Sequence, residues 1–301
     1  MTALKIMTMN VRGSHFEIDG AHYWPYRAGL AAETVLRHAP HIIGFQEFQT
    51  GNRDTFDQAL PDYEYTLGPI SIDNSDWGMW NPIYWLKSRF DRQAVGGFYL
   101  TDQEDVWQIP WDAMLVRAAT WARLRDRSSG RTLVAVNTHL DHVGELSRVS
   151  AAQLIIGQIA AQHTGLPVVI MGDFNSRVWA IEENGGEIPP ALRDEATPPG
   201  TVHSVFTRAG FVDTWLAAGY QEGPHTNTFH NFQGAHYPAI GQRIDWVLLH
   251  DSLPGPTAVN GGSRGWRTED CEIITDHSPS EAGVSLYPSD HYPVLATVTL
   301  F

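Results

Sequence analysis

Short runs rich in β-branched and aromatic residues recur along the whole chain, at residues 5–10, 42–46, 63–67, 83–86, 120–124, 133–138, 168–171, 244–249 and 294–299. Each has the length and composition of a strand. Several are apolar at every position, as in Val168-Val169-Ile170-Met171, which predicts strands covered on both faces. Helical spacing appears between them. Leu146, Val149, Ile156 and Ala160 follow 3- and 4-residue steps ahead of Gly165 and Pro167. Val202, Val205, Phe206 and Ala209 form a shorter amphipathic stretch with Gly210 placed as its C-terminal cap. Ala28, Ala31, Val35 and Leu36 form another, closed by Pro40. Strands and helices alternate early and strands dominate the last third, so the pattern predicts a layered α/β domain with mixed sheets. No repeat or linker divides the chain, and residues 1–301 read as one domain.

Composition narrows this picture a little. The apolar fraction, 43%, is that of a globular protein, and the one cysteine, Cys271, excludes an internal disulfide framework. The first residues, MTALKIMTMNV, read as a strand and not as a signal peptide, and no run approaches the ~20 apolar residues of a membrane span. The expectation is a soluble, cytoplasmic protein without a membrane partner. Twenty Lys and Arg against 34 acids give a formal net charge of −14, which disfavours a nucleic-acid partner.

The chemistry lies at the strand ends. Asn10 ends the first run, Glu47 follows the second, His139 follows LVAVNT, and Asp173 follows VVIMG with Asn175 two residues on. Ligand sites in open α/β sheets gather beyond the carboxyl ends of strands, so these strands deliver Asn, Glu, His and Asp to one edge. Asp245 and the pair Asp290-His291 instead stand at strand starts. They reach the same edge if their strands run antiparallel to the others. Clustered carboxylates raise one another's pKa unless a cation neutralises them, and oxygen ligands suit Mg²⁺ or Mn²⁺ better than Zn²⁺. An Asp two residues before an Asn suits proton abstraction from a water that the amide orients. Each residue also has a plainer reading: Asp-Phe-Asn as a turn or cap, Glu47 as a solvated helix residue, Ser289-Asp290-His291 as a turn, His139 and His142 as packed or solvated imidazoles. Asp245 on an apolar strand resists that reading, because an unpaired buried carboxylate is costly.

The ordered set TMN, QE, NTHLDH, GDFN, RIDWVL and SDHYPV resembles the endonuclease/exonuclease/phosphatase superfamily from Asn10 to His291. The resemblance implies a four-layer α/β/β/α sandwich, two mixed β-sheets flanked by helices, and a metal-dependent phosphoesterase with Mg²⁺ or Mn²⁺. It implies Glu47 as principal metal ligand, assisted by Asn10 and Asp290. Asp173 and Asn175 would position and activate water, with His291 (oriented by Asp245) and His139 contacting the phosphate. Whether Asp173 or His291 takes the proton is left open. WDAMLVRAATWARL, NTHLDHVGELSR and TFHNF are similar to a bacterial branch that includes sugar-phosphate phosphatases, which makes Arg117 a candidate phosphate clamp. The alternative for Arg117 is a surface residue at a strand start. The branch usually carries Gly-Glu where this chain has Gly78-Met79, so the customary support for a catalytic His is missing, with Asp112 or Asp141 as candidate substitutes.

The expected activity is hydrolysis of a small phosphorylated metabolite such as a sugar phosphate. A nuclease or other phosphodiesterase shares the same machinery, and a silent binding module is the third reading, favoured only by Met79. Trp77, Trp80, Trp107 and Trp111 lie in two loops with acids and no Lys or Arg, suited to stack on a sugar ring or to pack inside. The expected site is a closed-ended pocket, not a basic groove.

Overall fold

The computed structural model describes residues 3–71, 78–103, 106–193, 199–253, 265–279 and 285–301. Trp77 therefore lies outside the described residues. The chain order is β1 (Leu4–Asn10), α1 (Trp24–His38), β2 (Ile42–Gln46), α2 (Thr50–Ala59), β3 (Tyr63–Thr66), β4 (Ile83–Leu86), β5 (Phe90–Tyr99) and β6 (Ala118–Asp126). It continues with β7 (Thr132–His139), α3 (Glu145–Gln162), β8 (Val168–Asp173), α4 (Val202–Arg208), β9 (Val212–Asp213), α5 (Thr214–Ala217), β10 (Asp245–His250), β11 (Trp266–Ile273) and β12 (Val294–Leu300).

The strands form two mixed six-stranded sheets, ordered β11-β12-β1-β2-β4-β3 and β5-β6-β7-β8-β10-β9. Apolar side chains from both sheets meet in one layer, with Leu4, Ile6, Ile42 and Trp85 of the first against Ala135, Val169, Met171 and Val247 of the second. The outer face of the first sheet (Met7, Met9, Ile43, Phe45) packs on Ala31 and Val35 of α1 and Phe56 of α2. That of the second (Val134, Val136, Val168, Ile170) packs on Ala152, Ile155 and Ile159 of α3 and Phe206 of α4. The result is an α/β/β/α sandwich, and it explains why the central strands are apolar at every position: both of their faces are covered. No helix among the described residues is long and apolar enough to cross a membrane.

Two predicted helix faces are the observed ones only in part: Ala28, Ala31 and Val35 of α1 and Val149, Ile156 and Ala160 of α3 pack on the core, and the fourth residue of each does not. Leu146 and Leu36 are exposed, and the buried side of α3 is Ser147, Arg148, Ala151, Ala152, Ile155 and Ile159. α3 carries apolar residues nearly all round, so spacing alone does not select the face. Arg148 turns inward because Asp141 O accepts its Nη1 at 2.9 Å and Glu145 its Nε at 3.0 Å. The sequence pattern also missed α2, which is mostly polar, and the edge strands β5, which carries two glycines and exposes Arg92 and Gln93, and β11, whose outward positions are charged.

Candidate active site

The register of the sheets decides which polar residues meet. β1 runs parallel to β2, which pairs Asn10 with Gln46, and β7 runs parallel to β8, which pairs His139 with Asp173. β10 is antiparallel to β8 and sets Asp245 opposite Asp173, while β12 is antiparallel to β1. The carboxyl ends of four strands and the amino ends of two therefore share one edge. Glu47 and Asn175, each just past a strand, adopt left-handed backbone with φ 54° and 47°, a sharp turn that projects the side chain from the sheet end.

Asn10 bridges the two sheets. Its Nδ2 donates to Glu47 Oε1 and to Asp173 Oδ2, both at 3.0 Å, while its Oδ1 accepts the Arg12 N–H at 2.9 Å. Asp173 Oδ1 accepts the Asn175 N–H at 2.9 Å, and Oδ2 lies 3.4 Å from His139 Nε2 and 3.8 Å from His291 Nε2. His291 Nδ1 meets Asp245 Oδ2 at 2.8 Å. Asn175 Nδ2 reaches His139 Nε2 at 2.9 Å and the Leu140 carbonyl at 3.0 Å. Asp290 lies 3.6 Å from Arg12 Nε. All eight polar residues expected at the strand ends thus stand within one network.

Electrostatics separates their states. Burial and the neighbouring Asp245 push Asp173 up to about 7. Burial opposes charge on His291, but Asp245, Asp173 and Asp290 outweigh it and push the imidazole up to about 10. His139 is driven the other way, by burial and by Arg117, and is held neutral. Burial disfavours ionised Asp290, yet His291, Arg12 and Arg27 hold it below the usual carboxylate range.

The donor set fits a hard divalent ion. Glu47, Asn10 and Asp290 carry the oxygen donors such an ion prefers, and the Asp173 and Asp245 carboxylates stand beside one another with ligand-capable oxygens within 4.8 Å. Asp245 Oδ1 is buried with no hydrogen-bond partner, and burying such an oxygen is costly without a cation.

Arg117 is buried, not a surface residue: Nη2 contacts His142 Nδ1 at 3.2 Å and Nε lies 3.8 Å from Asp141 Oδ2. Neither proposed substitute for the missing Glu supports His139. Asp112 caps α3 by accepting the Leu146 and Ser147 N–H groups, and Asp141 accepts those of Met114, Leu115, Val143 and Gly144. Both carboxylates are spent on backbone donors, and the Asn175 amide holds the imidazole instead. Met79 itself is buried, with its carbonyl accepting from Ser71.

A polar tie beneath the site escaped the sequence reading. Gln46 Nε2 donates to Thr8 Oγ1, the Gly44 carbonyl and Asn137 Oδ1, and Asn137 Nδ2 donates to the Phe45 and Pro82 carbonyls, locking the sheets one residue from Glu47 and two from His139. Arg27 does similar work from α1, donating to the carbonyls of Val11, Arg12, Gly13, His22 and Pro288. Polar residues inside otherwise apolar runs were the available signal for Gln46 and Asn137.

The family model described as Endonuclease/Exonuclease/phosphatase matches residues 7–291. The chain belongs to this family. Its members hydrolyse phosphoester bonds and use divalent metals, so the chain is a phosphoester hydrolase. The endonuclease/exonuclease/phosphatase protein of Bacteroides vulgatus is similar to it at 27% identity and a TM-score of 0.76, with 100% of each chain covered. A mannosyl-6-phosphatase of Bacteroides thetaiotaomicron shares the fold at 24% identity and 0.75, covering 99% of this chain and 100% of that one. D. rerio TDP2, solved with a single-strand DNA product, does so at 18% and 0.66, covering 99% and 100%. No curated protein matches the sequence.

Proposed function

We propose that the protein is a divalent-metal-dependent phosphatase that hydrolyses a small phosphorylated metabolite such as a sugar phosphate. The observation that carries this reading is the position of Asp173, a buried carboxylate flanked by two imidazoles and anchored by Asn10 and the Asn175 N–H. Such a group orients a water and takes its proton.

Glu47, with Asn10 and Asp290, would hold Mg²⁺ or Mn²⁺. The bound ion supplies Lewis-acid neutralisation of the phosphoryl oxygens. Asp173 accepts the proton of the attacking water, and the Asn175 amide oxygen faces that water because its Nδ2 is engaged by His139 and Leu140. His291, kept cationic by Asp245, stabilises charge growing on one phosphoryl oxygen, and His139 meets the phosphate from the other side. The Arg117 guanidinium contributes positive charge at the His142 end. Such a set neutralises one phosphate, whereas each further phosphate of a polyanion meets a chain of net charge −14.

The similarity to D. rerio TDP2 bound to a single-strand DNA product favours a second reading, a nuclease or other phosphodiesterase on the same machinery. A panel of phosphomonoesters, a diester dye and single-stranded DNA, each with Mg²⁺ or Mn²⁺, separates them. Faster turnover of a sugar phosphate supports the phosphatase; efficient DNA cleavage at moderate salt overturns it. Failure of every substrate returns the chain to a binding role.

A further inference from the structure

Next to the polar centre, two segments display large apolar side chains to solvent. Between β5 and β6, Trp107 is 48%, Trp111 42% and Met114 58% exposed, and at the entry to α3 Val143 is 54% and Leu146 56% exposed. Clustered exposed apolar groups of this size mark a binding surface more often than scattered ones do. The two segments are clasped together by the carboxylates already described. Asp112 of the first accepts the Leu146 and Ser147 N–H groups of the second at 3.1 and 2.7 Å. Asp141 of the second accepts the Met114 and Leu115 N–H groups of the first, both at 3.1 Å. Gly144 allows the approach: a Cβ there would stand 2.3 Å from Asp112 Oδ1 and 2.5 Å from its carbonyl oxygen. Trp111 is held with φ 48°, a strained conformation for a bulky residue that persists only where its surroundings impose it.

The clasp also fixes where this apolar rim lies. The Asp141 oxygen that receives Met114 and Leu115 is 3.8 Å from Arg117 Nε, and Arg117 contacts His142, three residues after the His139 that meets Asp173. The backbone of the rim is thus tied through Asp141 and Arg117 to the His142 end of the site. Residues 101–116 contain no Lys or Arg, and the charges built into the clasp are carboxylates.

We propose that Trp107, Trp111, Met114, Val143 and Leu146 form the leaving-group subsite, which selects phosphomonoesters whose alcohol presents a hydrophobic face and carries no second anionic group. The inference rests on the phosphatase reading. Apolar contact favours the first property, and residues 101–116 supply no Lys or Arg beyond the Arg117 already committed to the first phosphate, which disfavours a second.

The test compares kcat/KM of the full chain with Mn²⁺ for 1-naphthyl phosphate, glycerol 1-phosphate and fructose 1,6-bisphosphate. A double variant, Trp111→Asn with Met114→Gln, keeps a residue tolerant of left-handed backbone and removes the apolar surface. The expected results are a preference for glycerol 1-phosphate over fructose 1,6-bisphosphate in the wild type, and a roughly tenfold fall in the naphthyl-to-glycerol ratio in the variant, a comparison in which the better naphtholate leaving group cancels. An unchanged ratio overturns the subsite. So does loss of phosphatidylcholine-vesicle binding or of a concentration-dependent dimer in the variant with the ratio intact, since the rim would then serve a membrane or a second copy. A wild type inactive on all three monoesters refutes the phosphatase reading itself, a different outcome from activity with an unaltered ratio.

Discussion

Replacing Asp173 by Asn separates catalysis from metal binding and from folding. The substitution keeps the shape and removes the proton acceptor. If Asp173 takes the water proton, kcat falls by at least ~10²-fold, or about 2.7 kcal/mol of transition-state stabilisation. The folded state loses far less. Burial and Asp245 already push Asp173 up to about 7, so near neutral pH the free protein spends much of its time with this carboxyl protonated, and Asn resembles that form. What is lost is one acceptor: Oδ1 can still receive the Asn175 N–H, but the new amide NH₂ faces Asn10 Nδ2, formerly a 3.0 Å donor. Losing one such hydrogen bond costs about 1 kcal/mol, so the net change stays within about 1–2 kcal/mol. Titration calorimetry with Mn²⁺ gives the metal affinity, urea denaturation the stability and steady-state assay the rate. Metal affinity within threefold of wild type is expected. Loss of metal equal to that of Glu47→Gln, or activity within a factor of three of wild type, would refute the assignment.

Three further outcomes follow from the same contacts. Glu47→Gln should weaken Mn²⁺ binding at least ~10-fold while leaving the urea midpoint nearly unchanged, as read by calorimetry, because Asn10 Nδ2 can still donate to the amide oxygen. Asn137→Leu should destabilise the protein by about 1–3 kcal/mol in urea, since it removes a donor from the Phe45 and Pro82 carbonyls, of which Pro82 keeps the Phe45 N–H, and one of the three acceptors of Gln46 Nε2; a loss under about 0.5 kcal/mol would mean that the inter-sheet tie is dispensable. His163 is buried with no partner on either ring nitrogen, and burial followed by Arg123 pushes it down to about 4, so its contribution to stability is intact above about 6.5 and is lost progressively as pH falls towards 4. His163→Leu should therefore flatten the decline in urea midpoint across that window, by about 2 kcal/mol at pH 5, and an unaltered slope would show that His163 does not drive it.

Much of the site was legible because strand ends are legible. Apolar runs closed by Asn10, Glu47, His139 and Asp173 announce covered strands that deliver polar groups to an edge, and the order of the motifs marks the family. Asp245 and Asp290-His291 could be placed at strand starts, which made antiparallel pairing the condition for a shared site, and β10 and β12 meet that condition. Polar α2 and edge strands β5 and β11 were hidden because a surface element needs only part of itself to be apolar.

The sequence by itself determined the covered strands, the layered architecture and the kinds of residue available at its edge, since these follow from local composition and period. Only the tertiary structure decided their partners. It buried Arg117 against Asp141 and His142, used Asp112 and Asp141 on backbone N–H groups instead of on His139, and set Asp173 between two imidazoles of opposite protonation preference. Those outcomes depend on register and on distances between residues far apart in the chain. A carboxylate's role is set by the donors and charges around it in space, which the linear order of residues does not contain.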